Sequence, residues 1–373
     1  MKIGIFTLPL HTNYGGILQA YALQTVLMNM GHEATIIDKS PYIKRLPLYK
    51  VPYSYSKRFL QKYMLKKNVK IFTEKHYNQT YKIISPFIQS FIDKYLNRIE
   101  VEHPSELKHN SFDALVVGSD QIWRPSYYAQ IENAYFDFAK KWDVKRIAYA
   151  PSFGKDVWEY SSKQTERCKE LLHNFDAISV REDSGVELCK VHFEKQAVHV
   201  LDPTMLLEAD HYRKQFINGR VEKSNGTLLN YILDSTEEKT AFIDRLATEK
   251  NIITFRVNAV SEDLFANIEE RIKPPVEKWL GGFEDAEFVV TDSFHACVFS
   301  IIFNVEFIVV ANKDRGYARF KSILALFDLE DRLIYDVKYW NSNDKKQIDW
   351  DKVNSRLDEL RNESLLFLQK ALA

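Results

Sequence analysis

The stretch Phe288–Phe303, FVVTDSFHACVFSIIF, constrains the fold more than any other, because it packs a buried strand, a sharp turn and a helix start into one short run. Phe288, Val289 and Val290 read as the end of a core strand. Thr291, Asp292 and Ser293 are small residues with side-chain oxygens, the kind that end a strand and cap a helix's first turn. The apolar run Ala296–Phe303 then reads as a helix with His295 at its mouth. The first N–H groups of a helix lack partners within it and carry the positive end of its dipole, so this turn can seat a phosphate or carboxylate. It can equally be a polar strand-to-helix connection that binds nothing. On the first reading, His295 hydrogen-bonds or protonates whatever the turn holds.

The same alternation of strand, polar turn and helix recurs along the chain. Lys2–Leu8 reads as a parallel strand covered on both faces, and ILQAYALQTVLMNMG reads as a helix closed by Gly31. Between them lies Asn13-Tyr14-Gly15-Gly16, where two glycines let a ligand approach the backbone, although the spacing is neither a dinucleotide fingerprint nor a P-loop. Four further strands end in polar residues: FDALVV before Ser119, Asp120, Gln121 and Trp123; RIAYA before Pro151; Ala177–Val180 before Arg181 and Glu182; Val198–Leu201 before Asp202. Ligands of open parallel sheets sit at the carboxyl ends of the strands, so the series points to one binding region.

After a charged stretch between Glu208 and Ser224 a second unit begins, with strand LLNYIL, helix EEKTAFIDRLATEK and strand IITFRV. It continues through Phe288–Phe303, a strand at Val305–Val310, the charged loop Lys313–Gly316 and the helix YARFKSILALF. The last helix, Trp350–Leu372, places Val353, Leu357, Leu360, Leu365 and Leu368 at helical spacing and is long enough to pack back on the first unit. The expected fold is α/β, with two Rossmann-like domains facing a cleft: residues 1–210, residues 225–345, and a returning helix over 350–373.

The chain's 373 residues allow two such domains, and 51 basic against 51 acidic residues leave no bulk charge to attract nucleic acid. No apolar run is long enough to cross a bilayer, so a soluble, cytoplasmic protein is expected. Cys168, Cys189 and Cys297 are scattered, without disulfide or zinc-ligand spacing. Residues 41–110 read as a basic, tyrosine-rich helical insertion, with helices at Tyr55–Val69 and Phe87–Leu96. Over Pro41–Glu100 thirteen Lys and Arg stand against three Asp and Glu, with eight tyrosines interleaved. This is either a set of solvated helices or a surface for an anionic partner, such as the inner face of a membrane.

The motifs NYGGILQAYALQ, VVGSDQIW, YAPSFG, ISVRE, VLDPT, KWLGGF and VVTDSFHACVFSIIF, in this order, resemble the polysaccharide pyruvyl transferase family. The resemblance implies a fold like that of GT-B glycosyltransferases, with the donor on the C-terminal domain and the acceptor on the N-terminal one. It implies phosphoenolpyruvate as donor substrate with no cofactor or metal. The acceptor is a sugar or lipid-linked oligosaccharide on the way to a capsule or exopolysaccharide. Two other readings are a GT-B glycosyltransferase using a sugar nucleotide and a non-catalytic glycan- or anion-binding protein.

His295 matches the family's donor-site histidine. The donor is then expected against Ser293, Phe294 and His295, with Arg181 as a bidentate clamp and Arg315 and Arg319 as further cations. The alternative for Arg181 is an interdomain salt bridge. Asp120 is the expected base for the sugar hydroxyl, or else a helix N-cap. Asn13, Tyr14, Gly15, Gly16, Gln19 and Gln121 are expected to line the acceptor side, with Trp123 stacking on a pyranose face.

Overall fold

The computed structural model describes residues 1–43, 49, 51–64, 71–260, 266–312, 316–338, 340 and 346–373. Their strands form two sheets that are parallel throughout. The first sheet contains β1 (Lys2–Phe6), β2 (Glu33–Asp38), β3 (Arg98–Glu100), β4 (Ala114–Val117), β5 (Lys145–Ala148), β6 (Ala177–Val180) and β7 (Val198–His199). Its spatial order is β3-β2-β1-β4-β5-β6-β7. Helix α1 (Tyr14–Asn29) crosses from β1 to β2; α2 (Val51–Tyr63), α3 (Thr73–Ile84) and α4 (Pro86–Tyr95) fill the excursion between β2 and β3. Helices α5 (Ser162–Leu172) and α6 (Asp183–Phe193) follow β5 and β6.

After the short α7 (Ala209–Tyr212), the second sheet runs β12-β11-β10-β8-β9. Its strands are β8 (Leu228–Tyr231), β9 (Thr254–Phe255), β10 (Phe288–Thr291), β11 (Glu306–Val310) and β12 (Leu333–Ile334). The helices are α8 (Glu237–Lys250), α9 (Val276–Asp285), α10 (Phe294–Ile302) and α11 (Ala318–Ala325), before the terminal α12 (Trp350–Leu372).

Strands β4 (ALVV) and β10 (FVVT) are buried along their whole length, as central strands covered on both faces must be. In the first sheet the strand order reverses between β1 and β4, and in the second between β8 and β10; these are the switch points at which doubly wound sheets bind ligands. Each half has a core cluster of its own, around Trp123, Phe136 and Phe193 in the first and around Phe242, Val290 and Ile308 in the second, and a third cluster is shared. This shared cluster runs from Ile3, Ile17 and Leu18 through Met205 and Tyr212 to Phe299, Phe307, Leu357 and Leu368.

Helix α12 returns to the first sheet, as its apolar spacing predicts. The Ser364 hydroxyl accepts a hydrogen bond from the Leu201 N–H at 3.0 Å, and Arg361 Nε donates to the Met205 carbonyl at 2.9 Å. In the excursion after β2, α2 begins earlier than its periodicity predicts. The Tyr55–Val69 expectation falls partly on residues 65–70, outside the described residues. Arg98–Glu100 is not part of a helical insertion: it pairs with β2 as an edge strand, and Arg98 ties it to Asp38 at 2.9 Å. The three cysteines are free and buried. Burial pushes the Cys297 thiol well up, so no thiolate forms in the first turn of α10.

Candidate active site

Carboxyl ends of successive strands in the first sheet deliver one polar cluster. The loop after β4 carries Ser119 and Asp120, β6 runs into Arg181, and β7 leads to Asp202. Arg181 Nη1 donates to Asp202 Oδ2 at 2.7 Å and to Ser119 Oγ at 3.1 Å, and the Ser119 hydroxyl donates to the same carboxylate oxygen at 2.9 Å. The other carboxylate oxygen accepts from the N–H and hydroxyl of Thr204. Arg181 Nη2 lies 3.8 Å from Asp120 Oδ1. Asp120 has φ of +72° and Ala150, at the end of the next strand, has φ of +56°. Two residues with a Cβ in the left-handed region at neighbouring strand ends are strain of the kind that collects at functional sites.

The second half contributes the start of α10. Asp292 does not cap that helix. Its carboxylate turns to the β8–α8 loop, accepting from the N–H groups of Leu233 (2.7 Å) and Asp234 (3.2 Å) and from Lys239 Nζ (2.8 Å). Ser293 stands at the N-cap and makes no side-chain cap bond. The first turn of α10 is thus left without a side-chain cap, as is that of α1 behind Asn13. His295 presses its ring into the space beside Gly15: a Cβ built on Gly15 would stand 2.0 Å from the imidazole Nδ1. Its Nε2 lies 3.8 Å from Asp202 Oδ2 and has no hydrogen-bond partner among the described residues. The Phe294 ring lies between two guanidinium groups, with Arg181 4.4 Å and Arg319 5.5 Å from its centroid.

The electrostatics follow from burial. Asp202 is 1% exposed, which by itself would raise its pKa; the charges of Arg181 and His295, with the hydrogen bonds from Arg181 and Thr204, outweigh burial and hold it down to about 2. Burial pulls His295 below the ordinary imidazole value, against the attraction of Asp202 and with the help of Arg181, so the ring is neutral at neutral pH. Burial and the nearby Arg181 charge lower Arg319 to about 10, which leaves it cationic at neutral pH. Two donors of Arg181, Nε and Nη2, make no hydrogen bond among the described residues although the side chain is buried, Nη2 having only the longer ion pair with Asp120. Two cations, an unbonded imidazole nitrogen and two uncapped helix starts therefore converge where the halves meet. The seam reaches the surface at exposed Asn13 and half-buried Gly16 and Ser293.

The family model described as polysaccharide pyruvyl transferase matches residues 13–314, which includes every described residue of this centre except Arg319. The chain belongs to the polysaccharide pyruvyl transferase family. Membership implies a transferase, with a pyruvyl donor and a sugar acceptor. No curated protein matches the chain. Among solved structures it is similar to UDP-GlcNAc 2-epimerase from Neisseria meningitidis bound to UDP-GlcNAc, at 9% identity and a TM-score of 0.46, covering 100% of this chain and 94% of that one. It is also similar to MurG from Acinetobacter baumannii, at 10% identity and a TM-score of 0.44, covering 99% of each chain. Both likenesses are of overall layout and carry nothing about substrate.

Against the expectations for a pyruvyl transferase, the structure gathers Asn13, Gly15, Gly16, Asp120, Arg181, Ser293, Phe294, His295 and Arg319 around one point. Arg315 lies outside the described residues. Four residues expected on the acceptor side are engaged elsewhere. Trp123 is fully buried, stacked on Tyr135 with its N–H donated to the Ala134 carbonyl, so no face is left for a pyranose. Tyr14 donates its hydroxyl to the Pro274 carbonyl at 2.7 Å and stacks on Trp279, which makes it a clasp between the halves. Gln19 spends its amide N–H groups on Thr7 and on the Gly16 carbonyl. Gln121 accepts from Arg124 at 2.9 Å and faces Gly154, where it supports the loop behind Asp120. The space that Gly15 leaves open is filled by His295, not by a ligand. Arg181 does form a salt bridge, but with Asp202 of its own half. Asp202 is the residue that sequence reading leaves without a role; its position directly after a strand of the same sheet as Arg181 is the signal that marks it. A separate surface cavity of about 590 Å³, lined by residues such as His103, Asn133 and Arg167, shares none of these side chains.

Proposed function

We propose that the chain transfers pyruvate from phosphoenolpyruvate to a pair of hydroxyls on a sugar of a cell-surface polysaccharide or its precursor, closing a ketal and releasing inorganic phosphate. The observation that carries this reading is the set of buried polar atoms without a hydrogen bond, the Arg181 donors Nε and Nη2 and the His295 imidazole Nε2, beside the uncapped start of α10. A buried donor without an acceptor costs about 1–3 kcal/mol, and such a set is retained where a ligand supplies the acceptors. The ligand must be anionic, because Arg181, Arg319 and two helix starts all favour negative charge. Phosphoenolpyruvate brings a carboxylate and a phosphate on one short molecule, and a guanidinium meets either group with two parallel hydrogen bonds.

In this scheme His295 is the acid. Burial holds it neutral, and an anion bound against it raises its proton affinity, so the ring takes up a proton from solvent as the donor binds. That proton goes to the methylene carbon, leaving a cationic C2 that one sugar oxygen attacks. The bond between C2 and the phosphate oxygen then breaks, and the second hydroxyl closes the ketal. Of the two hydroxyl protons, one replaces the proton given to the methyl group and the other leaves with phosphate. Asp120, reached by the Asn13 amide at 3.3 Å, is the base for the attacking hydroxyl. Asp202 opposes the buried Arg181 charge and keeps the guanidinium in place. Phosphoenolpyruvate is a metabolite of the cell interior, so the reaction is assigned to the cytoplasm, with the acceptor sugar carried on a lipid at the inner membrane face.

Thermal denaturation with phosphoenolpyruvate and, separately, with a panel of sugar nucleotides tests the donor. Stabilisation by phosphoenolpyruvate alone is expected. Stabilisation by a sugar nucleotide with no response to phosphoenolpyruvate would overturn the assignment.

A further inference from the structure

Helix α2 inverts the usual arrangement of a surface helix. None of its residues is buried. At about 100° per residue, Tyr53, Phe59, Leu60, Tyr63 and the adjoining Met64 fall on one arc, and that arc faces solvent: these five side chains are 49–72% exposed. The half-buried positions, Ser54, Tyr55, Arg58 and Gln61, lie on the opposite arc. The helix is held from that side, with Arg58 bound to Glu74 of α3 through two hydrogen bonds of 2.8 and 2.7 Å. Exposed Lys57 borders the apolar arc, and exposed Lys62 brings its Nζ to 5.3 Å from the Tyr63 ring centroid. Over residues 51–64 the sequence carries Lys57, Arg58 and Lys62 and no acidic residue.

We infer that α2 docks the protein on an anionic lipid bilayer, its apolar arc lying at the boundary between headgroups and acyl chains and its lysines reaching the lipid phosphates. Charge selects this occupant. Pairing the face with its own copy would bring two acid-free basic segments together. A soluble anion would leave Phe59, Leu60 and Met64 in water. The surface is also connected to the centre at His295: α3, which holds α2, hydrogen-bonds through the Tyr77 hydroxyl to His11 of the β1–α1 loop, and that loop carries Asn13. The inference specifies the acceptor's carrier within the proposed reaction, yet its test does not depend on that chemistry.

The test is flotation of the full chain with vesicles of equal parts phosphatidylglycerol and phosphatidylcholine, against vesicles of phosphatidylcholine alone, at low and high salt. The expected result is binding to the anionic vesicles only, reduced by salt. The double variant Phe59→Glu, Tyr63→Glu should lower the bound fraction by about tenfold, while its response to phosphoenolpyruvate in thermal denaturation stays that of the parent chain. Equal binding to both vesicle types, or no binding to either, overturns the inference. So does a self-associated parent chain that the double variant converts to monomer.

Discussion

Arg181 holds Asp202 with one nitrogen and leaves two others unmet, so its charge and its shape separate in experiment. Arg181→Ala would strand the Asp202 carboxylate in the interior and cost about 3–5 kcal/mol, confusing loss of fold with loss of function. Arg181→Lys keeps the charge and removes the fork. It is expected to fold and to lose about 100-fold or more in kcat/KM for phosphoenolpyruvate, seen in initial-rate kinetics of phosphate release. His295→Asn is expected to reduce turnover by about 10²–10⁴. Calorimetry in buffers of different ionisation enthalpy should show a proton taken up on phosphoenolpyruvate binding by the parent chain at neutral pH, and none by the variant.

Asp202 gives a pH prediction of defined sign. Its pKa falls from 3.8 in an open chain to about 2 in the folded one. The folded state therefore gains about 2 kcal/mol from this group above pH 4, and loses it as the pH drops toward 2. Urea denaturation across that range should show the slope in the parent chain. In Asp202→Asn the slope from this group should be absent, and stability should already be lower at neutral pH because Arg181 is left without its counter-charge.

Among the elements, α1 and α10 meet end to end, and Gly15 is what lets them. Gly15→Ala is expected to cost about 1–3 kcal/mol through overpacking and to abolish transfer by displacing the imidazole. Adding His295→Ala should recover stability without recovering activity, a coupling that a double-mutant cycle measures. The strand ends around this contact are legible in the sequence, because parallel strands covered on both faces are unbroken apolar runs and the polar residues that stop them stand out. Which strand end faces which is not written locally. Asp202 is joined to a serine 83 positions away and an arginine 21 positions away, and a reading that moves along the chain has no reason to connect them. Trp123 misleads for a related reason: later segments bring Tyr135 and Phe153 against it, so a residue beside a polar turn ends in the core. Tyr14 misleads because the second half covers the first turn of α1.

At the scale of the molecule, two doubly wound sheets share one apolar cluster and are tied by a helix that begins beyond the second sheet and ends on the first. Unfolding is therefore expected to be a single transition, with far-ultraviolet circular dichroism and tryptophan fluorescence giving the same midpoint in urea. A fragment of residues 1–210 lacks α10 and α12 and should be degraded rapidly by protease. Both halves and the returning helix are visible in the sequence because each is a pattern of apolar spacing. The shared cluster is not, since it depends on how finished elements pack.

The imidazole seated in the notch at Gly15 has one further consequence. Prising the halves apart would draw His295 out of the notch and away from Asp202 in the same movement. In the proposed scheme the acid is therefore in place only while the halves are together, and a donor meeting them separated would find none to squander it on water.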